Sequence, residues 1–123
     1  MNTKRTTDIT HTHLDEAIKR LKADHTYSAY AALANVLEKI SPEELAWPAL
    51  RVAILRNFTL DSIIPVIKGE ITLAGYYPQV YLSGYDQIVQ DILIEQSPLY
   101  TFQPEFIILA IWLENLAPNL ATR

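Results

Sequence analysis

The apolar residues in the first third of the chain recur at helical spacing. Four of them form a first stripe: Leu14, Ala17, Ile18 and Leu21. Four more form a second stripe: Tyr30, Leu33, Leu37 and Ile40. These stripes predict two amphipathic helices, and the short "ADHT" connection between them predicts an antiparallel hairpin. Since both stripes are too apolar to face water, we expect the hairpin to cover the sheet or a second copy of itself.

The segments around the hairpin are polar. Residues 1–12 show no periodicity and are predicted to be a loose tail. Ser41 and Pro42 form a helix start signal, with serine as the N-cap and proline at the first helical position. This short helix must end before Pro48, because the residue that precedes a proline is disfavoured in the α region. Residues 1–47 are therefore predicted to be a helical N-terminal segment.

Beyond residue 47, short apolar runs alternate with helical patterns. The predicted strands are 50–55, 77–82 and 105–113. The predicted helices are 60–75 and 85–95, and residues 97–104 are predicted to be a loop. This β-α-β-α-β order predicts a three-stranded parallel sheet with right-handed crossovers and the first strand in the centre. The sequence therefore predicts an α/β protein in which a helical hairpin precedes a Rossmann-like half over 48–123.

Such a sheet would bring three loops together at the carboxyl ends of its strands, where open α/β sheets bind ligands. The residues expected in this crevice are Asn57, Phe58, Thr59, Ser83, Gly84, Asp86, Glu114 and Asn115. For catalysis, Thr59 could supply a nucleophilic hydroxyl and Asn115 an oxyanion donor, but no histidine follows His25 to act as the base. In the alternative interpretation, Thr59 caps the next helix and Asn57 stabilises the turn.

Composition and charge exclude several kinds of partner. The net charge is −4, and lysines and arginines are scattered, so no nucleic-acid partner is predicted. The absence of cysteine excludes disulfides and thiolate chemistry. The longest apolar run, 106–113, is too short to span a bilayer. A cytoplasmic protein without membrane contact is therefore expected.

No cofactor or metal ion is predicted from the sequence motifs. Neither the dinucleotide-binding nor the P-loop glycine pattern occurs. The histidines His11, His13 and His25 form one loose group, and His11 and His13 stand two apart at the end of the predicted tail. Ligands at such positions are not held on one face, so a metal site is not expected.

Four segments of the chain resemble, in order and spacing, the N-terminal region of FkbH-like proteins. They are "RVAILRNFTLDSI", "GYYPQVYLSGYDQIVQDIL", "SPLYTFQPEFIILA" and "LENL", and they span about 48–116. In that family, a domain similar to SGNH hydrolases precedes a HAD-type domain. The resemblance implies a role in polyketide or related assembly-line biosynthesis. There the HAD domain takes a glyceryl unit from a bisphosphoglycerate and loads it onto an acyl carrier protein.

The chain departs from this family at the residues that carry the chemistry. It has neither the DxDx motif of the HAD domain nor the acyl-transferring cysteine. In the SGNH comparison, Phe58 occupies the position of the nucleophile, and the terminal D-x-x-H block has no counterpart. Ser83-Gly84 and Asn115 stand near the positions of the oxyanion glycine and asparagine.

These departures favour a non-catalytic protein-interaction domain whose partner is an acyl carrier protein or a HAD-type domain. One alternative is an atypical SGNH-like hydrolase or acyltransferase that uses Thr59 and Asn115. Another is a fragment whose function resides in a missing part.

The third strand bears on self-association. It is apolar throughout, and the "APNLATR" that follows offers no further strand or covering helix. We therefore expect a two-fold homodimer through the third strand or through the partner's hairpin. A monomer would instead need the hairpin to fold over this region.

Overall fold

The structure is a computed structural model that describes residues 2–112, with side chains from residue 9 onward. Its helices are α1 (Asn2–Ala23), α2 (Tyr27–Glu38), α3 (Pro42–Leu45), α4 (Ile64–Leu73), α5 (Ile88–Leu93) and α6 (Pro98–Phe102), and a 3₁₀ turn covers Asp61–Ile63. Its strands are β1 (Ala49–Arg56), β2 (Tyr77–Leu82) and β3 (Phe106–Ala110). The strands form one parallel sheet in the order β2-β1-β3, with β1 in the centre. The predicted α/β fold, two helices followed by a small three-stranded parallel sheet, is confirmed.

The prediction of a loose N-terminal tail is wrong. Helix α1 begins at Asn2 and runs without a break to Ala23. Its polar first half contains neither glycine nor proline, and residues such as Thr and Asp lower helix stability by only ~0.7 kcal/mol each. Once the apolar stripe has nucleated the helix, each further residue adds a hydrogen bond at little cost. Periodicity alone therefore misplaces the start of α1.

Two predicted elements between β2 and β3 also differ. Helix α5 is limited to Ile88–Leu93, because Asp86 adopts a left-handed backbone conformation with φ of 53° and so cannot belong to the helix. The apolar spacing in 85–95 predicts that Ile88, Ile92 and Val89 face the core; Ile88 packs against it, whereas Ile92 and Val89 are exposed. The predicted loop at 97–104 contains α6, which Ser97 precedes and Pro98 opens. This is the same Ser-Pro start signal that correctly placed α3.

The chain forms two compact units, and the first contains the residues up to Ala49 together with Ser62–Pro78. Its core contains seven of the eight predicted stripe residues together with Ala29: Leu14, Ala17, Leu21, Ala29, Tyr30, Leu33, Leu37 and Ile40. The eighth stripe residue, Ile18, is only partly buried and packs against this core. Val66 and Leu73 of α4 pack against this core. Within this unit the hairpin therefore covers α4, which the sequence pattern did not single out as its partner.

Helices α2 and α4 approach each other closely at Gly69. A Cβ atom on Gly69 would lie 2.4 Å from Tyr30 Cδ1 and 3.2 Å from Leu21 Cδ2, so only glycine fits there. The Tyr30 hydroxyl donates a hydrogen bond to the neighbouring Glu70 carboxylate. This bond, together with burial, raises the pKa of Tyr30 above its ordinary value. The absent side chain at Gly69 thus makes room for the ring that fixes α4 on α2.

Tyr77 connects the start of β2 to the end of α2. Its hydroxyl donates to the carbonyl oxygens of Ile40, at 2.8 Å, and Leu37, at 3.3 Å. The Leu37 carbonyl lies in the last turn of α2 and also accepts from the Ile40 N–H at 3.1 Å, while Ile40 lies just beyond the helix. Burial raises the pKa of the Tyr77 hydroxyl, and the nearby carboxylates of Glu43 and Glu44 raise it further.

The second unit contains Leu50–Asp61 and the described residues from Gln79 onward. Its small core consists of Ala53, Leu55 and Leu99, surrounded by Tyr81, Ile88 and Phe102. The parallel register pairs β1 and β3 from Val52 with Phe106 to Arg56 with Ala110. The apolar third strand was expected to leave large side chains exposed in a single chain, and within the described residues β3 does so. Its four large side chains are between 42% and 60% exposed.

We expect the Gly69→Ala substitution to destabilise the protein. Alanine in the middle of a helix normally gains ~1 kcal/mol over glycine. Here its methyl group would overlap the Tyr30 ring, and overpacking of this kind costs about 1–3 kcal/mol. Urea denaturation measures the difference. In a Tyr30→Leu background the penalty should shrink or reverse, whereas a Gly69→Ala protein more stable than wild type would contradict the close approach.

The Tyr77→Phe substitution should lower the free energy of unfolding by about 1 kcal/mol near neutral pH, since it removes the bonds to the end of α2. The phenol must keep its proton to donate, and its pKa in the fold is raised above about 10. The loss should therefore be complete below about pH 10 and diminish as the pH rises through the raised pKa. Urea denaturation over a pH series tests this. Tyr76→Phe, at the exposed neighbouring position, is the matched control and should show no such loss.

Candidate functional site

Asn57 directly follows β1 and holds the carboxyl ends of β1 and β3 together. Its amide nitrogen donates to the carbonyl of Trp112 at 3.1 Å, and its Oδ1 accepts from the Trp112 N–H at 2.7 Å. Its own N–H donates to the carbonyl of Ala110 at 3.3 Å. With only 2% of its surface exposed, Asn57 is part of the sheet structure. These contacts reach across the sheet to the chain beyond β3, whereas the alternative interpretation expected Asn57 to stabilise its own turn.

Ser83 fulfils the same task between β1 and β2. It is fully buried, its N–H donates to the carbonyl of Ile54 at 2.9 Å, and its Oγ accepts from the Arg56 N–H at 3.1 Å. The hydroxyl oxygen thus continues the hydrogen bonding between the strands beyond the end of β2. Ser83 therefore has a structural role, because its hydrogen bonds to the main chain join β1 and β2 at this edge of the sheet.

The Arg56 side chain covers this end of the sheet. Its Nε donates to the Ser83 carbonyl at 3.0 Å, and its Nη1 lies 3.2 Å from Asp61 Oδ2. Only 12% of the arginine side chain is exposed, whereas the Asp61 side chain is 66% exposed. An ion pair with one solvated partner adds ~1 kcal/mol at most to the free energy of unfolding. Its main effect is therefore to position the Arg56 side chain. Sequence reasoning placed Arg56 in the turn after the first strand and did not select it as a site residue, because its contacts with Ser83 depend on a segment 27 positions away.

Gly84 and Asp86 belong to a turn that leads into α5. The Gln87 N–H donates to the Gly84 carbonyl at 3.3 Å, and the Asp86 N–H donates to the Arg56 carbonyl at 3.2 Å. Asp86 occupies the left-handed region, which aspartate tolerates better than most residues. Both residues therefore have identifiable roles in turning the chain at the crevice.

Phe58 and Thr59, the two residues after Asn57, differ in their surroundings. Phe58 packs edge-on against Trp112, with ring centroids 6.0 Å apart and planes at 73°. Thr59 is exposed, and it does not cap a helix as the alternative interpretation expected. Helix α4 begins at Ile64, with Ile63 in the N-cap position and no side-chain cap. A 3₁₀ turn intervenes, which the apolar periodicity of this segment did not reveal.

The remaining predicted site residues stay untested. Glu114 and Asn115 lie outside the described residues.

His11 and His13 lie on α1 rather than in a tail, and residues two apart on a helix do not share a face. Within residues 2–112, no group of three or more metal-ligating side chains comes together. In the same part of the chain, no helix combines the length and the apolar character needed to cross a membrane.

We expect Asn57→Ala to lower the free energy of unfolding by about 2–3 kcal/mol, because it removes two hydrogen bonds and leaves the Trp112 main chain without these partners. Thr59→Ala, two residues away and exposed, is the matched control and should change stability by less than about 0.5 kcal/mol. Chemical denaturation followed by circular dichroism compares the two. Equal stability of both variants would contradict the structural role of Asn57.

No protein-family model matches the chain, and no curated protein matches it. One solved structure with a similar fold is that of the N-terminal part of the protein BF1531 from Bacteroides fragilis, which contains a phosphatase domain and is complexed with Mg. The TM-score is 0.58 at 25% sequence identity, over 69% of this chain and 22% of that one. This chain therefore spans about a fifth of the length of that neighbour. The likeness is consistent with the N-terminal region of an FkbH-like protein, although it is not specific to that family.

Proposed function

We propose that this chain is a non-catalytic protein-interaction domain, similar to the N-terminal region of FkbH-like enzymes of assembly-line biosynthesis. Its partner is a HAD-type catalytic domain. The acyl carrier protein on which such a domain acts is the other partner that the binding experiment below examines. The chain contributes a binding surface, and the partner contributes the chemistry.

The observation that carries this proposal is the inverted polarity of α5. Val89, Ile92 and Leu93 are spaced i, i+3 and i+4, so they share one side of the helix, which we call the α5 face. All three are exposed, with Leu93 at 73%. On the same helix Asp91 is only 5% exposed. A buried carboxylate and an exposed apolar face are the two departures from ordinary patterning that carry information.

The buried Asp91 has partners in the second unit, which stabilise this orientation of α5. The Tyr81 hydroxyl donates to Asp91 Oδ2 at 3.1 Å, and Ser97 Oγ donates to the Asp91 carbonyl at 2.7 Å. Burial raises the pKa of the Tyr81 hydroxyl, and its hydrogen bond to Asp91 raises the pKa further. Because these bonds hold Asp91 inward, next to the core contact of Ile88, the side with Val89, Ile92 and Leu93 faces outward. Adjacent exposed apolar side chains of this kind are a feature of protein contact sites.

The contacts of the crevice residues also support a non-catalytic role. Asn57 and Ser83 direct their polar side-chain atoms at the main chain of neighbouring strands. Phe58 places an aromatic ring, packed on Trp112, where an SGNH hydrolase has its nucleophile. An oxyanion site needs donors aimed at a reacting atom, whereas the Asn57 amide and the Ser83 N–H donate to main-chain carbonyls.

The structural neighbour supports a catalytic domain as the partner. A fold similar to this chain occurs there in a longer protein that contains a phosphatase domain. Association of the two parts, in one chain or between chains, would give the α5 face a permanent cover.

The catalytic part of the proposal predicts no esterase activity. We expect hydrolysis of p-nitrophenyl acetate by the purified chain to equal the rate with Thr59→Ala, and both to equal the rate in buffer. A turnover that disappears in Thr59→Ala but persists in Ser62→Ala would overturn the non-catalytic function and favour the hydrolase alternative.

The binding part of the proposal is tested with the HAD-type domain encoded by the same or a neighbouring reading frame, purified alone. We expect a complex by analytical gel filtration, and at least a tenfold weaker affinity for Leu93→Lys by calorimetry. Glu95→Lys, an exposed position that also gains a positive charge, is the matched control and should bind as wild type. Binding of the carrier protein instead would identify the other partner class. Equal affinity of both variants for every partner, or no binding at all, would contradict the role of the α5 face.

A further inference from the structure

The outer edge of β3 is a second apolar surface, distinct from the α5 face. In the described part of the chain, β3 pairs with β1 alone, so its other edge presents unpaired backbone N–H and C=O groups. The residues on both faces of the strand are exposed: Phe106 at 60%, Ile107 at 52%, Ile108 at 42% and Leu109 at 56%. Free hydrogen-bonding groups and apolar side chains therefore coincide along one strand.

Natural proteins normally protect such an edge. The usual devices are a charged side chain in the strand, a proline, or a bulge. None of these occurs within Phe106–Ala110, whose sequence is "FIILA" and whose register with β1 is continuous. The nearest charge is Glu105, which contacts Arg51 on β1 and so belongs to the inner side. The edge is thus suited to the addition of another strand.

We propose that this edge pairs with the same edge of a second copy, antiparallel about a two-fold axis at Ile108. The resulting sheet has six strands in the order β2-β1-β3-β3-β1-β2. Isologous contacts of this kind are the commonest way in which identical chains associate. The inference is independent of the proposed partner, because it uses β3 and leaves the α5 face free.

The sequence of β3 is complementary to itself in this register. Ile108 lies opposite its own copy, Ile107 lies opposite Leu109, and Phe106 lies opposite Ala110. Every pair is apolar, and the largest side chain meets the smallest, which avoids crowding. Glu105 falls opposite Ile111 rather than opposite another carboxylate. Although each chain carries a net charge of −4, no like charges therefore face each other along the strand.

The first measurement is the mass in solution. A five-residue strand buries less surface than a typical stable interface, so we expect dissociation in the micromolar range. Light scattering at about 100 μM should then give twice the 14.0 kDa of one chain. A mass of one chain at every concentration tested would overturn the proposal.

Cysteine cross-linking tests the register, since the chain has no native cysteine. Ile108→Cys should form a disulfide dimer under mild oxidation, because opposite Cβ atoms in an antiparallel pair lie only ~5 Å apart. Phe106→Cys is the matched control: the two copies would be ~13 Å apart along the strands and should not cross-link. Mixed Phe106→Cys and Ala110→Cys chains should cross-link with each other. Cross-linking through Leu93→Cys or Phe106→Cys alone, without Ile108→Cys, would overturn the edge pairing.

A charge in the edge should abolish the dimer. We expect Ile107→Lys, at an exposed position, to give the mass of one chain, while Leu93→Lys keeps the dimer. The same two variants distinguish this inference from the proposed function, since Leu93→Lys should weaken partner binding and Ile107→Lys should not. A dimer that persists in folded Ile107→Lys would contradict the pairing of β3 with β3.

Discussion

The parallel sheet depends on the hydrogen bonds that hold both outer strands to β1 at its carboxyl end. Asn57 bonds the main chain beyond β3, and Ser83 with Arg56 bonds the end of β2. Three strands supply few ladder hydrogen bonds, so these side chains carry a larger share of the stability than they would in a wide sheet. The burial of the central strand explains why both of its neighbours must be held in place. Ala53, Ile54 and Leu55 are completely buried and require a neighbour on each side.

Because polar side chains at the carboxyl edge bond the strands, the crevice at this edge differs from a usual ligand site. In open α/β sheets the loops at this edge usually present polar groups to a ligand. Here the two most buried polar side chains are directed into the sheet, and the aromatic pair of Phe58 and Trp112 lies beside them. The strand order is therefore that of a ligand-binding fold, but Asn57 and Ser83 use their polar groups to hold the strands together. Topology and chemistry can separate in this way because the first depends on strand order and the second on individual side chains.

The sequence predicted the elements whose residues follow one clear physical rule. The stripes of the hairpin, the central position of β1 and the bounds of β2 all followed from periodicity and connection rules. Properties that depend on distant contacts could not be predicted. The role of Asn57 requires Trp112, which lies 55 positions away, and the role of Gly69 requires the ring of Tyr30. The outward side of α5 was misassigned because its burial is decided by the partners of Asp91, not by hydrophobicity.

The two tryptophans of the chain lie in different compact units. Trp47 packs against the hairpin core of the first unit, whereas Trp112 contacts Phe58 and bonds Asn57 in the second. Each indole is therefore an intrinsic fluorophore for one unit. A chain with phenylalanine at either position would report the opening of the other unit alone. Whether the helical part and the sheet part melt together or in sequence can thus be observed without any added label.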